Sequence, residues 1–146
     1  MATVFNGAQF KYAWRGYQQR VLSDIESHLS DDHIHIVAPP GSGKTVLGIE
    51  IARRLGESAL VLAPTIAIRD QWLQRFTELF QPDAASELMS FDIRQPSELT
   101  FTTYQALFSV YDKSPDLLIN TLQRQNIRTL VIDEAHHLTN AWWQAL

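Results

Sequence analysis

Ile34-His35-Ile36-Val37-Ala38-Pro39-Pro40-Gly41-Ser42-Gly43-Lys44-Thr45 is the stretch whose reading decides the fold. Ile34 to Ala38 is a short apolar run that predicts a strand, and Lys44 to Leu55, closed by Gly56, predicts a helix. Between them the backbone has only a few residues in which to turn. Glycines at 41 and 43 let backbone N–H groups converge on an anion, and the positive end of the helix adds to the attraction. Ala38 to Thr45 matches the Walker A phosphate-binding pattern, with alanine in place of the first glycine. That pattern makes Pro40, Gly41, Ser42 and Gly43 the phosphate cradle. Lys44 would neutralise the β and γ phosphates, and the Thr45 hydroxyl would take Mg²⁺. The plain alternative is a Gly-rich turn that happens to carry a lysine; a strand before it and a helix after it argue against that.

Outward from this turn the pattern repeats. Ala59 to Ala63 is a continuous apolar run, as a strand buried on both faces should be. Leu99 to Thr103 and Thr129 to Ile132 are further strand candidates. Tyr17, Val21, Leu22, Ile25 and Leu29 fall at helical spacing. So do Trp72, Leu73, Phe76, Leu79 and Phe80, in a helix that stops near Pro82. Shorter helices are expected around Gln105 to Tyr111 and Asp116 to Arg124. The first ten residues carry little pattern. Strands alternating with helices require crossover connections and a mainly parallel sheet covered on both faces, an α/β fold in three layers. In such sheets ligands bind beyond the carboxyl ends of the strands, and every candidate motif here follows a strand.

The second chemical signal is Leu130-Val131-Ile132-Asp133-Glu134-Ala135-His136, an apolar strand ending in two carboxylates. Asp133 is placed to hold Mg²⁺ through its water shell. Glu134 is placed to accept a proton from the water that attacks a γ phosphate. Alone, an Asp-Glu pair after a strand reads equally well as a solvated helix start. An upstream phosphate turn tips the balance toward chemistry. Asp133-Glu134-Ala135-His136 resembles the DEAH box of superfamily 2 helicases and translocases, the group that includes the type III restriction enzyme Res subunit. The likeness runs from about Trp14 to the end of the chain. It implies a RecA-like P-loop NTPase fold, ATP and Mg²⁺ as ligands, and DNA or RNA as partner, DNA being favoured. It also implies that residues 1–146 are the N-terminal motor domain, with His136 linking the nucleotide site to strand-contacting elements.

Flanking stretches extend the likeness. Trp14-Arg15-Gly16-Tyr17-Gln18 resembles the Arg-x-x-Gln element of these motors, which implies that Gln18 hydrogen-bonds the adenine edge and Arg15 lies near the base. An amide offers both a donor and an acceptor, which suits adenine. Phe10 and Tyr12 are candidates for a stacking aromatic. Ala63-Pro64-Thr65 with Arg69-Asp70-Gln71-Trp72 resembles motif Ia, and Thr103-Tyr104-Gln105 the short motif after the third strand. The resemblance implies that Pro64, Thr65 and Thr103 face the nucleic-acid strand, through contacts that carry no sequence preference. Trp72 itself reads as core, because it shares a helical face with Leu73 and Phe76. His33, His35, His136 and His137 make a poor metal set, since no cysteine supports them.

Composition bounds these readings. A chain of 146 residues, 45% apolar and 19% charged, is one globular domain. No apolar run approaches the roughly 20 residues that span a bilayer, and Met1 to Lys11 lacks a secretory pattern. The absence of cysteine excludes disulfides and thiolate metal sites and fits a cytoplasmic protein. A net charge of −4 argues against coating nucleic acid by bulk attraction, so strand contacts must be local. Ala141 to Leu146 reads as the start of an amphipathic helix, as in a truncated domain. The family's second motor domain, with its arginine finger, is therefore expected elsewhere in a longer chain. Two rival readings are a double-strand DNA translocase of restriction or remodelling type, and a nucleotide-dependent binding module without motor activity.

Overall fold

The computed structural model describes residues 4–30, 43–80, 82 and 88–134. In chain order these form α1 (Gly16–Glu26), α2 (Lys44–Leu55), β1 (Ala59–Ala63) and α3 (Ile66–Arg75), which runs into a π-helical turn at Phe76–Phe80. Then come β2 (Met89–Ser90), β3 (Leu99–Thr103), α4 (Tyr104–Lys113), α5 (Pro115–Arg124) and β4 (Thr129–Ile132). The strand expected at 34–38, with Pro40, Gly41 and Ser42, lies outside the described residues, as does His136.

The four strands form one sheet in the order β2-β3-β1-β4, and every pairing is parallel. All five positions of β1 are buried. Its two faces meet different helices because successive side chains of a strand point to opposite sides. Ala59 and Val61 pack with Val46 and Ile49 of α2 and with Trp72 and Phe76. Leu60 and Leu62 pack with Tyr104, Leu107 and Val110 of α4 and Leu118 of α5. The result is the three-layer α/β arrangement that the alternation implied. α3 leaves β1 on one face and α4 leaves β3 on the other, the arrangement in which ligands bind beyond the carboxyl ends of the strands.

Three features differ from the sequence reading. β2 is only two residues long, too short to show a period. The N-terminal residues, expected to carry little pattern, supply Val4, Phe5 and Ala8 to the core. Their neighbours Gln9 and Lys11 donate backbone N–H groups to Phe80 O (2.9 Å) and Leu79 O (2.7 Å), satisfying carbonyls that a helix end leaves open. And β4, the outermost of the described strands on its side, is only half covered, with Leu130 at 43% exposure.

Two local constraints position α2. Glu50 is 2% exposed and accepts from Arg53 (2.8 and 2.7 Å) and Arg54 (2.7 Å). Arg54 also reaches Glu26 on α1 at 2.9 Å, tying the two helices together. Burial pushes the Glu50 carboxyl up, but the bonds and charges of Arg53 and Arg54 outweigh it, so the group titrates below its usual 4.5. A carboxyl lowered by folding contributes stability that is complete above the unfolded value and disappears as pH falls through the folded one. Stability should therefore fall on acidification below about pH 4.5, with a shallower slope in Glu50→Gln, as urea midpoints measured against pH will show.

The second constraint is Gly48, where an added Cβ would sit 2.6 Å from Trp72 Cη2. Alanine there gains about 1 kcal/mol of helix propensity but overpacks the ring contact at a cost of about 1–3 kcal/mol. Gly48→Ala is expected to lower the urea midpoint despite the better helix former.

Candidate nucleotide site

Lys44 and Thr45 open α2, behind Gly43, which adopts the left-handed conformation at φ 84°. That conformation favours glycine, and the absence of a side chain lets Gln18 lie close. A Cβ on Gly43 would lie 2.5 Å from Gln18 Nε2. Gln18 is 4% exposed and its Oε1 accepts from Arg15 N at 2.9 Å. Its amide thus lies between the start of α1 and Gly43, buried rather than on a solvated helix face. Arg15 itself is exposed.

Across the rim, β4 delivers Asp133 and Glu134. Asp133 N donates to Leu62 O at 2.9 Å, continuing the sheet pairing one residue past the strand. Glu134 follows at φ 58°, a left-handed backbone that non-glycine residues seldom adopt. Its Oε1 lies 3.2 Å from Lys44 Nζ, a contact between residues 90 apart in sequence. The phosphate-turn lysine and the acidic pair therefore share one rim of the sheet. Both side chains stay about a third exposed, so the ion pair is open to solvent.

Asp133 is the more firmly held of the two acids. The Trp72 indole Nε1–H donates to Asp133 Oδ2 at 3.0 Å, and the Tyr104 hydroxyl donates to Asp133 O. Trp72 lies among the residues on one face of the sheet and Tyr104 among those on the other. Burial, followed by the charges of Asp133 and Glu134, pushes the Tyr104 phenol well above its usual value, so it remains a donor at any working pH. Trp72 is core, as its helical face implied, being 3% exposed. Its bond to Asp133 was missed from sequence. The available signal was general: a buried Trp or Tyr needs a partner for its polar tip.

The flanking motifs sit on the same rim. Thr65 caps α3, its hydroxyl accepting from Ile68 N at 3.2 Å, and Thr103 caps α4, accepting from Ala106 N at 3.1 Å. Pro64 ends the buried run of β1. Arg69 of the motif Ia stretch lies over the half-exposed Phe91 ring at 4.4 Å, a cation–π contact that the sequence did not foretell. Phe10 stacks on Trp14 at 4.1 Å and tilts against Phe80, whereas Tyr12 is 59% exposed.

The residues present suit a magnesium-bound triphosphate. The Lys44 ammonium at the start of α2 lies against one of two neighbouring carboxylates, and Thr45 and Asp133 offer the hard oxygen donors that Mg²⁺ prefers. The left-handed backbone of Gly43 keeps the approach to the helix N-terminus free of a side chain.

Comparison with known proteins gives the same direction. The family described as type III restriction enzyme, res subunit, matches residues 11–146. Protein 055L of Frog virus 3, named as a helicase, is 32% identical over 131 residues, covering 86% of this chain and 28% of the viral protein. The helicase/translocase subunit XPB/SSL2 of general transcription and DNA repair factor IIH from Saccharomyces cerevisiae is 27% identical over 129 residues, covering 84% of this chain and 15% of that protein. QP509L of African swine fever virus (strain Badajoz 1971 Vero-adapted), named as an ATP-dependent RNA helicase, is 27% identical over 130 residues, covering 84% of this chain and 24% of its own length. The chain spans less than a third of each of these relatives. By its match over residues 11–146 and its parallel α/β sheet, the chain belongs to the type III restriction enzyme Res subunit family and is an N-terminal motor domain of the superfamily 2 helicases.

Proposed function

We propose that this domain binds and hydrolyses ATP with Mg²⁺ to drive a helicase or translocase along nucleic acid, with DNA the favoured track. The observation that carries the reading is the 3.2 Å contact of Lys44 with Glu134, beside an Asp133 fixed at the same strand end. Lys44 neutralises the β and γ phosphates, helped by the N–H groups at the start of α2. A phosphate oxygen that draws the Lys44 ammonium loosens its pair with Glu134, whose carboxylate then orients a water and takes its proton. Thr45 and Asp133 would hold the Mg²⁺, which offsets the charge of the phosphates. Gln18 selects adenine, with Arg15 near the base. Phosphate contacts come from Thr65 and Thr103, with Pro64, between β1 and Thr65, facing the nucleic-acid strand on the same rim, and His136 couples the two sites.

The favoured track rests on relatives whose names place them in a DNA repair factor; QP509L points the other way. A second motor domain in a longer chain completes the cleft and supplies an arginine finger, so residues 1–146 alone should bind nucleotide weakly and turn it over very slowly. The test is ATP turnover by the full-length protein with single-stranded DNA, duplex DNA and RNA in separate assays. Stimulation by one or more of them is expected. A rate indifferent to all three would remove the motor reading and leave a nucleotide-dependent binding module. Strand displacement set beside triplex displacement then separates unwinding from duplex translocation.

A further inference from the structure

We propose that Trp72 and Tyr104 are positioning residues that set Asp133 for the metal, one from each face of the sheet. The inference deepens the nucleotide reading and rests on it. A carboxylate that holds a cation through water must keep one orientation, since the water shell transmits any tilt to the phosphates. Asp133 stands one residue beyond β4, partly buried, on a strand whose outer side is only partly covered. Strand pairing fixes only its N–H, through Leu62 O. Two aromatic tips settle the rest. The indole N–H of Trp72 takes Oδ2 and so sets the rotation of the carboxylate, leaving Oδ1 for a water ligand. The Tyr104 hydroxyl takes the main-chain oxygen and so sets the peptide that leads into Glu134.

Neither ring can drift. Trp72 is 3% exposed and lies against Gly48 of α2, where even a methyl group would collide with it. That contact references the indole to the same helix that begins with Lys44 and Thr45. Tyr104 is 7% exposed, in the first turn of α4. The geometry therefore links the phosphate helix to the acidic strand end through Trp72. Tyr104→Phe keeps the ring and removes only the hydroxyl, whereas Trp72→Phe removes part of the buried ring along with the N–H, so a urea midpoint measured beside it separates positioning from packing.

The experiment measures metal binding directly on the full-length protein. Mn²⁺ replaces Mg²⁺ as a spin probe, titrated against a fixed concentration of ATP. Trp72→Phe is expected to weaken Mn²⁺ uptake by about tenfold, and Tyr104→Phe to weaken it in the same direction. Affinity for metal-free ATP should stay unchanged in both. A second measurement needs no variant with an altered core. In the unsubstituted protein labelled with ¹⁵N-tryptophan, the Trp72 indole N–H resonance should shift when ATP and Mg²⁺ are added together, and far less with ATP alone. An indole resonance unmoved by the metal, or Mn²⁺ uptake in Trp72→Phe equal to the parent's, overturns the inference while the nucleotide reading stands. A protein that takes up no ATP, with or without metal, overturns both.

Discussion

Glu134→Gln is expected to lower ATP turnover by about 10²- to 10⁴-fold in the full-length protein, the usual worth of a positioned general base, while leaving nucleotide binding in place. Glutamine keeps the length and shape of the side chain, and it enters the left-handed backbone at φ 58° no worse than glutamate does. The ion pair with Lys44 is exchanged for a neutral contact, which frees the ammonium for phosphate. Binding of a fluorescent ATP analogue should therefore be retained or tightened as turnover collapses. Lys44→Ala provides the contrast, because it removes the charge that receives the phosphates and should lose binding and turnover together. Turnover that survives Glu134→Gln within a few-fold would show that another group activates the water.

The second large effect is on stability. Phe76 has no exposed surface and makes an edge-on contact with Phe5 at 5.9 Å and a tilted one with Phe80 at 6.2 Å. It also joins α3 to β1 and to the N-terminal segment, so truncation opens a hole that three separate elements would have to fill. Phe76→Ala should cost about 3–5 kcal/mol, a large share of the roughly 5–15 kcal/mol that holds a domain folded. Urea unfolding should show a lower midpoint at unchanged slope, with a fall in Tm on the order of 10 °C. A loss below about 1 kcal/mol would mean that the N-terminal segment is not seated on this core.

What could be read from sequence follows the physics of each element. β1 and α2 were legible to the residue. A strand buried on both faces must be apolar throughout, and a helix between a lysine and a glycine carries its own boundaries. The approach of Lys44 to Glu134 was also legible, because a phosphate turn and an acidic strand end make chemical sense only side by side. The role of Val4, Phe5 and Ala8 was not, since three apolar residues in an irregular segment have no period to detect. Nor was the π-helical turn at Phe76–Phe80, where the helical spacing simply appeared to continue. The bonds of Trp72 and Tyr104 to Asp133 stayed hidden for another reason. Side-chain pattern identifies a buried aromatic but says nothing about where its one polar atom points.

The two capping threonines carry a directional consequence. The oxygens of Thr65 and Thr103 already receive a backbone N–H from their own helices, so each hydroxyl has its hydrogen and one remaining lone pair to offer outward. Under the proposed function, two hydroxyl hydrogens at the carboxyl ends of adjacent strands would meet the anionic rails of a polynucleotide as it crosses this rim.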